Sequence, residues 1–286
     1  MGETLAGRRL LQWYLEAGVD ETIQDEAVDR YAVAEEKARV AVAAPPVSSA
    51  APETAAPRTP GFADAARAPA AIPSRERPTP GGDEAVRSAV ALAQDAGSVA
   101  ALRDALLGFD SCALAKTATN LVLYDGNPKA AVMFVGEAPG AEEDRQGLPF
   151  VGASGKLLDR MLASIGLDRT RAFISNTVFW RPPGNRTPTT QEMAICMPFL
   201  ERLIELVGPR VLVTLGGPAA KSVLAESAGV SKLRGRWFSY STPRLSRPIP
   251  ATAMYHPAYL LRSPAQKRDA WRDLLALRKR LETEAE

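Results

Sequence analysis

The sequence predicts a three-layer α/β/α sandwich on a four-stranded parallel sheet, preceded by a disordered leader. Three observations lead there. Short apolar runs at 130–135, 172–178, 210–215 and 251–255 have the length and composition of buried strands. Each run is followed by a segment with helical spacing of its apolar residues, at 154–165, 189–207, 218–225 and 264–282. Upstream, residues 44–82 hold nine prolines, many alanines and one aromatic, Phe62. Such a stretch buries too little apolar surface to offset its ordering entropy.

Taken in order, residues 1–35 form an amphipathic segment. Leu5, Leu10, Leu11, Trp13, Tyr14 and Leu15 share a helix that Gly18 ends. It either packs back on the core or docks a partner. Residues 40–83 are the disordered linker, and the folded domain spans 84–286. Helices are expected at 84–95 and at 99–108, with Ser98 as N-cap of the second. The run 130–135 is the first strand. The helix at 154–165 carries Leu157, Leu158, Met161, Leu162 and Ile165 on one face and stops at Gly166. A second strand at 172–178 leads into a Pro-rich loop, 179–188. Thr189 and Glu192 then make a capping box for a helix reaching Val207. The third strand, 210–215, runs through Gly216-Gly217 into a helix at 218–225. The fourth strand delivers His256, and a last helix closes the chain.

Composition excludes several classes. The chain of 286 residues has two cysteines, Cys112 and Cys196, and one histidine, His256. That rules out a disulfide scaffold and a four-cysteine metal site, and it suggests a reducing compartment. No run reaches the ~18–20 apolar residues of a membrane span, and the start lacks a basic-then-apolar secretory leader. A cytoplasmic protein is expected. Residues 99–286 hold 25 Lys/Arg against 18 Asp/Glu, and residues 1–98 hold 10 against 15. A basic domain behind an acidic leader suits a phosphate-rich partner.

The first strand ends in Gly136-Glu137-Ala138-Pro139-Gly140, and Pro149-Phe150-Val151-Gly152 follows. Open α/β sheets place ligands where their strands end, and Glu137, Asn176 and His256 all stand at strand ends. Each also has a plain structural reading. Glu137 could cap a helix, His256 could be a hydrogen-bonded structural residue, and Phe150 and Cys196 could be core. Asn176 is unusual inside a strand, as a network residue or as a reader of a ligand edge. No residue decides alone.

The ordered set does. It comprises Gly136–Gly140, Glu143-Asp144, Gly147 to Gly152, Asn176, Arg181-Pro182-Pro183-Gly184-Asn185-Arg186, Arg234-Gly235, and His256-Pro257-Ala258-Tyr259-Leu260-Leu261-Arg262. Together, over residues 105–278, these motifs resemble the family 4 uracil-DNA glycosylases. The resemblance implies hydrolysis of the N-glycosidic bond of uracil in DNA, at the start of base excision repair. It implies that the base is flipped into a pocket. Phe150 would stack on it, Asn176 would read its edge, and Gly136, Ala138 and Asn185 would complete the binding site. Glu137 would orient or deprotonate water, and His256 would stabilise the leaving anion at O2. Arg186, Arg234 and Arg262, with Lys232, Arg236, Arg244 and Arg247, would meet phosphates. Leu261 would wedge into the vacated stack.

One departure stands out. The family holds a four-iron, four-sulphur cluster on four cysteines. Two of those places are Cys112 and Cys196 here, and the other two are Phe109 and Trp180. Two thiolates cannot hold such a cluster in the family's manner. No cofactor and no metal is therefore expected, with an apolar plug in the cluster's place and the two cysteines as remnants. The pocket could then admit other deaminated bases. A DNA-damage-binding protein without hydrolysis is the main rival. A phosphate-handling enzyme lacks its Gly-x-x-x-x-Gly-Lys-Ser/Thr loop. The expected partners are uracil-containing DNA and a protein that docks residues 1–35, with the chain itself a monomer.

Overall fold

The computed structural model describes residues 80–284, so the expected helix in residues 1–35 and most of the linker at 40–83 lie outside the described residues. The first described element, α1 (Pro80–Asp95), begins inside that linker span. Proline at the first helical position needs no N–H partner and has its φ already set for the turn.

Four strands form the parallel heart of the sheet: β2 (Val132–Gly136), β3 (Ala172–Asn176), β4 (Val211–Leu215) and β6 (Ile249–Met254). They are the four expected strands. Two short antiparallel strands, β1 (Tyr124–Gly126) and β5 (Trp237–Tyr240), extend the edges. The order is β1-β3-β2-β4-β6-β5. The chain moves outward from β2 to β3 and then returns to the other side of β2 for β4. That reversal is the switch point where open sheets of this kind form a crevice.

Helices cover both faces. Residues of β2 alternate between them: Met133 and Val135 join one buried cluster, Val132 and Phe134 the other. The first cluster takes in α1, α2 (Val99–Leu107) and α6 (Thr190–Val207). In the second, α5 (Ala153–Ala163) and α10 (Lys267–Thr283) pack over Phe134, Ile174 and Val213. Ala85, Ala89 and Ala93 make a small-residue stripe, and α1 lies along α6. The Ser98 cap and the Thr189–Glu192 capping box both form, with Ser98 Oγ accepting from the Ala101 amide at 3.1 Å.

Short connecting helices carry the loops: α3 (Ala113–Thr117), α4 (Ala141–Gln146), α7 (Gly217–Leu224), α8 (Val230–Leu233) and α9 (Pro257–Arg262). Among the described residues, no helix is long and apolar enough to cross a membrane.

Phe109, Cys112, Trp180 and Cys196 sit together in the first cluster, none more than 5 % exposed. The rings of Phe109 and Trp180 stack at 6.5 Å, and Phe199 meets Phe109 edge-on at 5.2 Å. The neighbouring Cys196 thiol lowers the pKa of Cys112 to about 7, while the Cys112 thiol and burial raise that of Cys196. The donor set is two thiols among aromatic rings, which does not fit a cluster needing four thiolates. Among the described residues no group of three or more His, Cys, Asp or Glu could hold a metal ion.

Candidate active site

Parallel strands bring their carboxyl ends to one edge, and there a cleft of about 730 Å³ opens. Its walls include Glu137, Ala138, Phe150, Asn176, Asn185, Arg186, His256 and Arg262. Gly136 and Asn176 are register partners on β2 and β3, so Glu137 leaves the sheet beside Asn176. His256 enters from β6 on the far side of β4.

Glu137 is half-buried, and that burial raises its pKa above the ordinary glutamate value. Its backbone carbonyl accepts from Thr177 Oγ1 at 2.6 Å and from the Val178 amide at 3.2 Å, which fixes the main chain. The carboxylate itself has no hydrogen-bond partner among the described residues. It therefore caps no helix and is left to act on whatever enters the cleft.

Asn176 is 2 % exposed, and its side-chain amide likewise has no partner among the described residues. Its polar atoms face the cleft. A ligand that both donates and accepts at that edge would satisfy both groups of the amide. Gly136 is not itself part of the cleft lining but leaves room behind it: a Cβ there would stand 2.6 Å from Phe150 Cζ and would collide with Asn176 Oδ1.

Phe150 takes a left-handed backbone at φ 55° and is 4 % exposed. That conformation costs a residue with a Cβ about 1–2 kcal/mol. It turns the ring toward His256, with centroids 5.5 Å apart and planes at 30°. Glu143 sustains the loop. Its Oε2 accepts from the Gly140 amide at 3.1 Å, and its Oε1 from the Val151 and Gly152 amides at 3.0 and 2.9 Å. One buried carboxylate thus ties the Glu137 loop to the Phe150 loop. Glu143 stands in the sequence motif, which by itself assigns it no role. An acid in the first turn of a short helix was the signal.

His256 Nδ1 accepts from the Ala258 amide at 3.1 Å, capping α9. A ring nitrogen that accepts from a backbone N–H carries no proton, so the neutral ring has its N–H at Nε2. Burial, and next the charge of Arg262, lower the His256 pKa to about 4. The ring is thus a neutral donor with a fixed tautomer at physiological pH. Gly216 lets it fit: at φ 95° a Cβ there would come within 3.1 Å of His256 Cβ.

The other expected residues divide. Arg262 is exposed at the cleft edge beside Leu261, which is 44 % exposed. Arg186 lines the cleft while both its terminal nitrogens pair with Glu192, at 2.8 and 2.7 Å. Asn185, at φ 56°, accepts from Arg181 Nε at 2.7 Å. Arg234 is a correction. Its guanidinium bonds buried Asp273 at 2.9 and 3.0 Å and the Asp269 carbonyl at 2.7 Å, and packs over Tyr255. With its side chain 17 % exposed, it is held as an internal ion pair outside the cleft lining. The basic stretch around it also disperses. Arg236 lies over Phe238, and Arg244 donates to the Gln94 carbonyl on α1.

Comparison with known proteins matches residues 123–275 to the uracil DNA glycosylase superfamily. The chain is 40 % identical over 172 residues to the type-4 uracil-DNA glycosylase of Sulfurisphaera tokodaii, covering 58 % of this chain and 77 % of that protein. It is 45 % identical over 157 residues to that of Archaeoglobus fulgidus, covering 54 % and 78 %. The Pyrobaculum aerophilum type-4 enzyme is 38 % identical over 179 residues, covering 60 % and 89 %. With the matched span lying across the cleft and its strands, the chain belongs to the uracil DNA glycosylase superfamily, among the type-4 enzymes.

Proposed function

We propose that this protein removes uracil from DNA by hydrolysing the N-glycosidic bond, opening base excision repair. The observation that carries the reading is convergence. An unpartnered amide, an unpartnered carboxylate and a neutral imidazole from the ends of three separate strands meet a flat ring from the loop between α4 and α5 in one cleft.

A uracil flipped from the duplex rests its face against Phe150. Asn176 meets its N3–H and O4, satisfying both groups of the amide. Cytosine offers the opposite donor and acceptor order at those atoms. Water held by Glu137 attacks C1′ as the C1′–N1 bond breaks. The carboxylate takes a water proton, and the electron pair leaves on uracil as an N1 anion. His256 Nε2–H donates to O2, where that charge gathers. Glu137 also opposes the positive charge that builds on the sugar. The raised glutamate pKa suits a base, and the neutral histidine suits a donor that keeps its proton.

Arg262 and Arg186 meet phosphates, and Leu261 enters the space the base has left. The same pocket admits other deaminated bases that present uracil's edge. We take the protein to act in the cytoplasm, a reading that its DNA substrate and the two free thiols support. We take it to act as a monomer, with residues 1–35 available to a protein partner.

The test uses an oligonucleotide with a single uracil and matched thymine and cytosine controls. Alkali-labile abasic sites on the uracil strand alone are expected. Tight binding to uracil DNA without abasic product would assign the cleft to damage recognition instead.

A further inference from the structure

We infer that Arg169 is a positioning residue for the base, acting through Phe150; this rests on the reading that Phe150 stacks on the flipped ring. Arg169 lies in the loop between α5 and β3, outside the cleft lining. Its guanidinium nevertheless reaches the cleft loop. Nη1 donates to the Pro149 carbonyl at 3.1 Å, and Nη2 donates to the Phe150 carbonyl.

The loop at 149–152 is therefore gripped from two sides. Glu143 takes the Val151 and Gly152 amides, and Arg169 takes the Pro149 and Phe150 carbonyls. Phe150 sits between the two grips at φ 55°, a conformation that a residue with a Cβ leaves unless its surroundings hold it. Leaving it would rotate the ring off Gly136 and away from His256. Gly155 adds a third constraint, because a Cβ there would run into the Phe150 carbonyl.

Arg169 is itself oriented. Asp125 accepts from its Nη1 at 2.6 Å, and Asp159 from its Nε at 2.8 Å. Asp125 belongs to β1, the edge strand on the far side of β3. The two carboxylates aim a planar fork at two consecutive carbonyls, a geometry that a lysine ammonium cannot reproduce. A surface ion pair alone would need neither carbonyl. The side chain is 24 % exposed, which shelters these bonds from water.

The test is a double-mutant cycle in the full-length chain, with single-turnover excision and kcat/KM measured below the melting temperature. Arg169→Gln should lose about tenfold in kcat/KM on uracil DNA, with binding to uracil-free duplex unchanged. In a Phe150→Ala background the same change should cost less than about twofold, because the effect passes through that ring. Equal losses in both backgrounds, or no loss in either, would overturn the inference. Arg169→Lys goes through the same cycle and keeps a positive charge should the glutamine variant fold poorly. A crystal structure of the lysine variant gives a reading that does not depend on turnover. Phe150 should leave positive φ, and a ring still seated between Gly136 and His256 would overturn the role. A wild-type protein that forms no abasic product refutes the glycosylase reading and leaves the structural comparison to decide on Arg169.

Discussion

Replacing Glu137 by glutamine tests the chemistry with little change of shape. The side chain is half-buried, has no hydrogen-bond partner among the described residues, and keeps its main chain pinned by Thr177 and Val178. The substitution therefore removes charge and leaves the loop intact. Place the developing sugar cation about 5 Å from the carboxylate, at an effective dielectric of about 20. The interaction is then about 3 kcal/mol, or about two decades in rate. That charge exists only in the transition state, so kcat should fall about 100-fold with KM unchanged. Single-turnover excision from a uracil oligonucleotide measures it. A pH profile adds a second reading. Burial raises the Glu137 pKa, so the active carboxylate is lost as pH falls through a value above the usual glutamate range. The acid limb of kcat/KM should lie there in the wild type and vanish in Glu137→Gln. A variant within about threefold of wild type, or one that keeps the limb, would refute a catalytic carboxylate at this place.

Three further outcomes follow from other parts of the molecule. His256 is neutral down to about pH 4, so no limb should appear near pH 6.5, where an ordinary histidine titrates; a limb there that disappears in His256→Gln would contradict the neutral donor. Arg234→Met strands the buried Asp273 carboxylate and should cost about 3–5 kcal/mol, a fall in Tm of about 6–15 °C by calorimetry. It should leave the salt dependence of DNA binding unchanged, whereas Arg262→Ala should lower that slope by about one. Trp180→Ala opens a hole in the aromatic packing worth about 3–5 kcal/mol by denaturant titration, and the purified wild-type protein should carry iron well below one atom per chain.

The sequence made the parallel strands legible because they are almost wholly buried and read as short, mainly apolar runs. Both caps were legible for a similar reason: Ser98 and the Thr189–Glu192 pair act within three residues. The edge strands were not. Tyr124–Gly126 has three residues and no alternation, and Trp237–Tyr240 sits in a basic stretch that reads as a phosphate-facing loop. Arg234 was misplaced because charge can be counted along a chain while partners cannot. Asp273 lies 39 residues downstream, and Asp125 lies 44 residues from Arg169. The site residues were each ambiguous alone. Their place at strand ends, and the order of the motifs, singled them out. What no motif conveys is how Phe150 is aimed, since that depends on a left-handed backbone gripped by Glu143 and Arg169 from opposite sides.

Uracil from DNA is expected to sit in this cleft on Phe150, Asn176, His256 and Glu137. A crystal structure of the protein with abasic DNA and free uracil tests it most directly. The ring should lie against Phe150, with N3 and O4 at the Asn176 amide, O2 at His256 Nε2 and C1′ facing Glu137. Uracil bound elsewhere, or bound here with Asn176 still unpartnered, would rule out this placement.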